Sequence, residues 1–313
     1  MGRGASGLPR SAVTPGREVP FPQPWLDRIT RHPADGGPSG ADWLRTVPGL
    51  IDEGLERWEL TVDGPPATGW TAIVVPVRRG DEQLALKVGW PHPEGTQEHL
   101  VLRTWGGRGA VRLTAAEPSR GLLLLERLDA TRDLRSEPID VACRETGLLL
   151  RQLNIPAGKP FPCLAPYLQP HLERMADRSA VPRRIVTRTQ GLARELLTDD
   201  VPAMLLHTDL HYENVLARPG ASWVAIDPKP VVGHPAFELL PLLHNRTDEL
   251  DGRSFRDAMR RRVVIAAEAA GIDVDEAFAW TLLRAGIEVS WAVGMDDPDD
   301  VTLFIALTKA LDD

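Results

Sequence analysis

The chain reads as a two-lobed α+β protein, a small β-rich N-terminal lobe followed by a large, mostly helical C-terminal lobe. Three observations predict this. Between Leu60 and Leu128 apolar residues alternate largely with a period of two, whereas from Pro138 onward they recur at three and four spacings. One hairpin pattern, Leu205 to Asp227, interrupts the helical half. The length of 313 residues is enough for one large domain or two moderate ones, each with its own core.

Residues 1–24 are rich in Gly, Pro, Ser and Arg and are expected to lack order, because such a composition buries too little apolar surface to offset the entropy of ordering. An amphipathic island, Trp25 to Ile29, opens the first domain, 25–128. From Ala41 to Trp58 the residues Trp43, Leu44, Val47, Leu50, Ile51, Leu55 and Trp58 spell a helix, with Pro48 as the point where it would be interrupted. Trp70 to Val77 and Gln83 to Val88 flank the turn signal Gly80-Asp81 and predict a hairpin. Thr96 to Trp105 follows as a helix, then Val111 to Ala115 and Leu122 to Leu125 as strands. The second domain, 129–313, opens with a helix over Pro138 to Leu153, proline standing in the first turn where a missing N–H costs nothing. Helices are predicted over Tyr167 to Met175, Arg184 to Leu197, Pro235 to Leu243, Phe255 to Ala270, Asp275 to Val293 and Asp300 to Leu311.

A hydrophobic fraction of 42% and a charged fraction of 26% are those of a soluble globular protein, and a net charge of −8 argues against a nucleic-acid binder, whose phosphate contacts need a basic face. An acidic surface suits a cationic small molecule. Two cysteines, Cys143 and Cys163, make neither a disulfide framework nor a metal-spaced cluster, which points to a reducing cytoplasm. No run of eighteen apolar residues or signal-peptide core is present, so no membrane role is expected. Only four of the 36 basic residues are lysines, Lys87, Lys159, Lys229 and Lys309, so a lysine inside a motif is hard to assign to chance.

The chemistry concentrates in Leu205 to Asp227, LLHTDLHYENVLARPGASWVAID. Short apolar runs bounded by turn residues read as strands, which sets a polar loop carrying Asp209 and Asn214 beside a strand that ends on Asp227. Magnesium held near a phosphate chain takes one or two such hard oxygen ligands and keeps waters for the remainder. The spacing H-x-D-x-x-x-x-N followed by a strand-end Asp is the catalytic-loop arrangement of phosphotransferases with a protein-kinase-like fold.

With WELTVDGPPATGW, LALKVGWP, LRTWGGRGAVRL and LLLLERLDATR upstream and WVAIDPKPVVGHPAFELLPLL downstream, the chain from about Trp25 onward resembles the aminoglycoside phosphotransferases. The likeness is to the subgroup of streptomycin 6-phosphotransferases and hydroxyurea resistance kinases in particular. It implies Asp209 as catalytic base, Asn214 and Asp227 as Mg2+ ligands, and His207 as a residue that orders the loop. Lys87 would grip the α and β phosphates, held straight by Glu98, a role for which Glu94 competes. Thr68 and Gly69, in a stretch with two glycines where three are usual, would approach phosphate, the alternative being an ordinary hairpin turn. Glu126 would mark the hinge that reads the purine edge. The co-substrate would be ATP, or GTP, and the acceptor a cationic small molecule phosphorylated by a monomeric enzyme. Family members often carry Asp where Glu238 stands, in the helix after the magnesium aspartate. Other readings are a kinase for an unidentified metabolite and a nucleotide-binding pseudokinase. His207 and His211 are four apart, as in zinc helices, but Thr208 stands where that motif needs Glu.

Overall fold

The structure, a computed structural model, describes residues 11–14, 17–34, 37–177, 180–198, 201–220, 222–295 and 297–312. Two compact units result, Met1–Gly107 with Val111–Leu128, and Arg108–Ala110 with Asp129–Asp313. Of the stretch 1–24 expected to lack order, residues 1–10, 15 and 16 lie outside the described residues. Ser11–Thr14 (β1) and Arg17–Pro20 (β2) pair antiparallel. Helix α1, Gln23–Arg31, starts ahead of the apolar island because Pro22 and Pro24 fit a helix start, where the first N–H groups have no partner in any case.

Helix α2, Gly40–Arg57, is capped by Ser39, which accepts from the Asp42 N–H, and it runs through Pro48 without the expected interruption. Buried residues stand on both sides of that proline, Trp43, Leu44 and Val47 before it and Leu50 and Ile51 after it, so packing outweighs the lost hydrogen bond. Six strands form the sheet of this unit: Thr61–Val62 (β3), Ala67–Thr68 (β4), Ala72–Arg79 (β5), Glu82–Gly89 (β6), Leu113–Glu117 (β7) and Leu122–Glu126 (β8). Their order is β3-β5-β6-β8-β7, with β4 also on β5. β5 begins two residues later than the pattern predicts because the Gly69 N–H closes a turn onto the Ala72 carbonyl. Alternation along β6 sends Leu84, Leu86 and Val88 into the core shared with Trp25, Ile29, Trp43 and Ile51, and leaves Lys87 on the other face. Helix α3, Glu98–Trp105, stops at Gly106, whose φ of 59° is the left-handed conformation that glycine adopts without strain.

The second unit holds strand β9 (Asp129–Asp133) and helices α4 (Ile139–Leu153), α5 (Leu164–Asp177) and α6 (Arg183–Leu196). Next come four strands of three residues each: β10 (Met204–Leu206), β11 (Val215–Ala217), β12 (Trp223–Ala225) and β13 (Val231–Gly233). Helices α7 (Pro241–His244), α8 (Phe255–Ala270), α9 (Val274–Met295) and α10 (Pro298–Leu311) complete it. β11 and β12 form the anticipated hairpin, to which β9 adds, whereas β10 pairs with β13. The helix expected over Pro235 to Leu243 divides into a 3-10 turn, Pro235–Leu239, and the short α7, which starts at Pro241. Close approach of α4 to α8 depends on Gly147: a Cβ there would lie 2.3 Å from the Ala266 carbonyl oxygen.

Candidate active site

In the first unit the Lys87 ammonium donates to both oxygens of Glu98, at 2.7 and 2.8 Å, and both residues are buried. The partner of Lys87 is thus Glu98, the first residue of α3, and a bidentate pair of this kind fixes the lysine stem along β6. Thr68 pairs with Ile73 at the end of the β4–β5 hairpin. The Gly69 carbonyl accepts from Trp25 Nε1 at 2.7 Å and from Arg28 at 3.2 Å, and its N–H is bonded to Ala72. Gly69 therefore presents a turn fastened to α1, with its own amide already engaged. Glu126 exchanges bonds with Arg112, its N–H donating to the Arg112 carbonyl and its Oε1 accepting from the Arg112 N–H at 2.7 Å.

In the second unit the segment after β10 is held by a dense set of bonds. His207 is fully buried, and desolvation pushes its pKa down to about 4, so the ring is neutral. Its Nδ1 accepts from the Asp209 N–H at 3.3 Å, which leaves Nε2 protonated to donate to the Ile226 carbonyl at 2.9 Å. One imidazole thus ties the loop of Asp209 to the strand end that precedes Asp227. Thr208 has a φ of 60°, rare for a β-branched residue, and is pinned at every polar atom. Its N–H donates to Glu238 Oε1 at 2.7 Å, its carbonyl accepts from Arg284 Nη2 at 2.6 Å, and its hydroxyl donates to the Lys229 carbonyl. Strain of this kind persists only where the surroundings impose it, and it clusters at functional sites. Asp227, with φ of 57°, is a second such residue.

Asn214 ends a 3-10 turn, Tyr212–Asn214, and donates its amide to the Asp209 carbonyl at 2.8 Å and more distantly to Oδ2 at 3.4 Å. With its nitrogen so engaged, its Oδ1 is the arm left to accept a cation. The Asn214 carbonyl also accepts from the Ile226 N–H at 2.9 Å, which fastens the asparagine to the residue before Asp227. One amide and one carboxylate are hard oxygen donors that fit a magnesium ion sharing its shell with phosphate and water. Among the described residues no group of three or more His, Cys, Asp or Glu could hold a metal by itself.

Two residues near Asp209 were not picked out from the sequence. Lys229 Nζ donates to Asp209 Oδ2 at 2.6 Å, while its own N–H bonds the His207 carbonyl. The scarcity of lysine in this chain was the available signal. Arg284 of α9, largely buried, lies over the Phe237 ring at 4.7 Å and bonds the Phe237 and Thr208 carbonyls. Nothing in its surroundings in sequence distinguishes it from a surface arginine. Acidic residues cluster around the start of α10, of which Asp296 lies outside the described residues. Asp297 caps α10 by accepting from the Asp299 and Asp300 N–H groups, Asp300 meets His244 Nε2 at 3.1 Å, and Glu288 meets Arg284 Nε at 3.5 Å. Trp291 is half exposed.

Comparison with known proteins follows the same lines. The profile of the aminoglycoside/hydroxyurea antibiotic resistance kinases matches residues 57–295. The chain is 37% identical over 289 residues to the streptomycin 6-kinase of Streptomyces glaucescens, covering 87% of this chain and 92% of that one. It is 38% identical over 276 residues to the hydroxyurea phosphotransferase of Kitasatospora aureofaciens, covering 82% and 76%. Among solved structures, a choline/ethanolamine kinase family protein from Mesorhizobium loti superposes with a TM-score of 0.59 at 16% identity over 84% of this chain and 94% of that one, a likeness of fold.

Proposed function

Because this chain belongs to the family of aminoglycoside/hydroxyurea antibiotic resistance kinases, we propose that it moves the γ-phosphate of ATP onto a hydroxyl of an aminoglycoside-type acceptor such as streptomycin. It is an enzyme, a phosphotransferase acting on an alcohol group, with the two-lobed kinase-like fold. The observation that carries the reading is the Asp209 loop, whose carboxylate, main chain and neighbouring amide are fixed by His207, Thr208 and Asn214.

In this reading residues 25–128 form the nucleotide lobe and 129–313 the catalytic and acceptor lobe. Phosphoryl transfer needs little covalent chemistry from a protein, only positioning and cancellation of charge. Lys87, straightened by Glu98, serves the α and β phosphates. Asn214 and Asp227 would hold Mg2+, which would neutralise charge on the phosphate chain. Asp209 orients the acceptor hydroxyl and takes its proton as the oxygen attacks phosphorus. The roles of Thr68, Gly69 and Glu126 rest on family likeness alone, since their amides serve the hairpin and the sheet. The enzyme acts as a monomer in the cytoplasm, where ATP is at hand; its cysteines are unpaired and no described helix is long and apolar enough to cross a membrane.

The test is ATP consumption over a panel of aminoglycosides, other cyclitols and hydroxyurea, with Asp209→Ala as control. A streptomycin-type acceptor should support turnover, and the variant should lose about 10²- to 10⁴-fold in kcat, the range for a general base, with nucleotide affinity little changed. Turnover of the folded variant near the wild-type rate would remove Asp209 from the role.

A further inference from the structure

The basic residue nearest the proposed base comes from outside its own loop. Lys229 lies two residues beyond Asp227, and its main chain is anchored at both ends, the N–H on the His207 carbonyl and the carbonyl on the Thr208 hydroxyl. Its side chain reaches back to Asp209 Oδ2 at 2.6 Å. The pair is partly exposed, with 33% of the lysine side chain and 25% of the aspartate side chain accessible. An ion pair so placed adds about 0–1 kcal/mol to stability, so stability alone gives little reason for a lysine here in a chain that otherwise favours arginine.

We propose that Lys229 is a catalytic residue of the phosphoryl transfer, holding the Asp209 carboxylate and bonding an oxygen of the γ-phosphoryl group, both in bound ATP and as the group passes to the acceptor. The proposal rests on Asp209 being the base. The acceptor oxygen forms its bond to the γ-phosphorus, the bond from phosphorus to the β-phosphate oxygen breaks to release ADP, and the hydroxyl proton goes to Asp209. Lys229 stays protonated throughout and moves no proton. In the loose transition state charge spreads over three equatorial oxygens, and cations aimed at them supply most of what a protein contributes. The hydroxyl that Asp209 orients is the one bonded next to phosphorus, so an ammonium touching Asp209 lies within one side-chain movement of those oxygens. An ammonium carries several donors on a flexible four-carbon stem and can bond two oxygens together. The anchored main chain keeps that stem's origin fixed while its tip moves.

Lys229→Met and Lys229→Arg, measured beside the wild type, decide the matter. Three readouts are taken: acceptor kinetics, calorimetric affinity for ATP and for ADP in the presence of Mg2+, and the thermal midpoint. Loss of the ammonium should lower kcat by about 10²- to 10³-fold, in line with removal of a group that stabilises transition-state charge, with acceptor KM within about threefold. The preference for ATP over ADP should shrink several-fold, the midpoint should barely move, and arginine, a rigid planar fork in place of the mobile ammonium, should recover only a small part of the rate. A kcat within about threefold of wild type in Lys229→Met, or equal weakening of ATP and ADP, would overturn the proposal. If the wild type phosphorylates no acceptor, the functional reading fails on its own, and the ATP-to-ADP comparison still decides Lys229. Lys229→Gln replaces the methionine variant should that one not fold.

Discussion

Glu238 places a carboxyl 1% exposed beneath the strained peptide of Thr208. Burial pushes its pKa from 4.5 up to about 7, opposed by the Thr208 N–H, the Arg284 charge and the His207 N–H. The glutamate side chain is long enough for the task, since Oε1 reaches the Thr208 N–H at 2.7 Å. Oε2 has no hydrogen-bond partner among the described residues, an environment in which a neutral carboxyl costs less than a bare carboxylate. The sign is that of a raised pKa: the stability Glu238 contributes is fully present below about pH 4.5 and is lost as pH rises toward 7. Glu238→Gln keeps an oxygen for Thr208 and does not ionise, so urea titrations should show the wild type losing stability relative to the variant from pH 5 to pH 8. Parallel curves for the two proteins would place the ionisation elsewhere. Glu238→Ala leaves the Thr208 N–H unpaired at every pH and should cost about 1–3 kcal/mol.

Helices packed as closely as α4 and α8 are specified by what is missing from them. Gly147→Ala places a methyl 2.3 Å from the Ala266 oxygen, so the two helices must separate, at a cost of about 1–3 kcal/mol. Gly191→Ala in α6 meets nothing within 4 Å among the described residues and should be neutral or slightly stabilising, because alanine favours the helix. Thermal melts of the two variants compare the effects directly, and equal midpoints would mean the α4–α8 contact yields without strain. Such contacts are illegible in sequence, where Gly147 looks like any glycine in a leucine-rich helix. By contrast α8 could be read to the residue, since its spacing runs unbroken from the Ser254 cap to Gly271. The proposed catalytic loop could be picked out for a related reason: its residues sit at fixed separations within one short segment. Strands β9 and β13 were not, because three to five residues between turns carry too little periodicity, and β13 exists through its pairing with β10. Lys229 and Arg284 reach Asp209 and Thr208 from 20 and 76 positions away, and that convergence is a property of the fold. The continuous α2 shows burial overriding a local signal, Pro48, that read correctly in isolation.

At the scale of the whole molecule the net charge of −8 bears on which acceptor arrives and how fast. An aspartate that caps a helix or meets a histidine still carries its charge, so the local tasks of Asp297 and Asp300 do not remove them from the summed field. Glu288 differs, since burial raises its pKa against the pull of Arg284. Aminoglycosides carry several positive charges, and a surface of opposite sign concentrates such a ligand while weakening as ions screen it. The Debye length falls from about 30 Å at 0.01 M salt to about 8 Å at physiological ionic strength, so the attraction shrinks to contacts near the site. For a cationic acceptor KM should therefore rise several-fold over that range while kcat stays nearly constant, because the Asp209 loop is braced by hydrogen bonds to the buried His207 and Asn214, which salt screens little. Initial rates against acceptor concentration at three ionic strengths measure both quantities. A KM indifferent to salt, or a neutral molecule preferred to every cationic one, would remove electrostatic capture from the account of substrate choice and leave the phosphotransferase machinery as it stands.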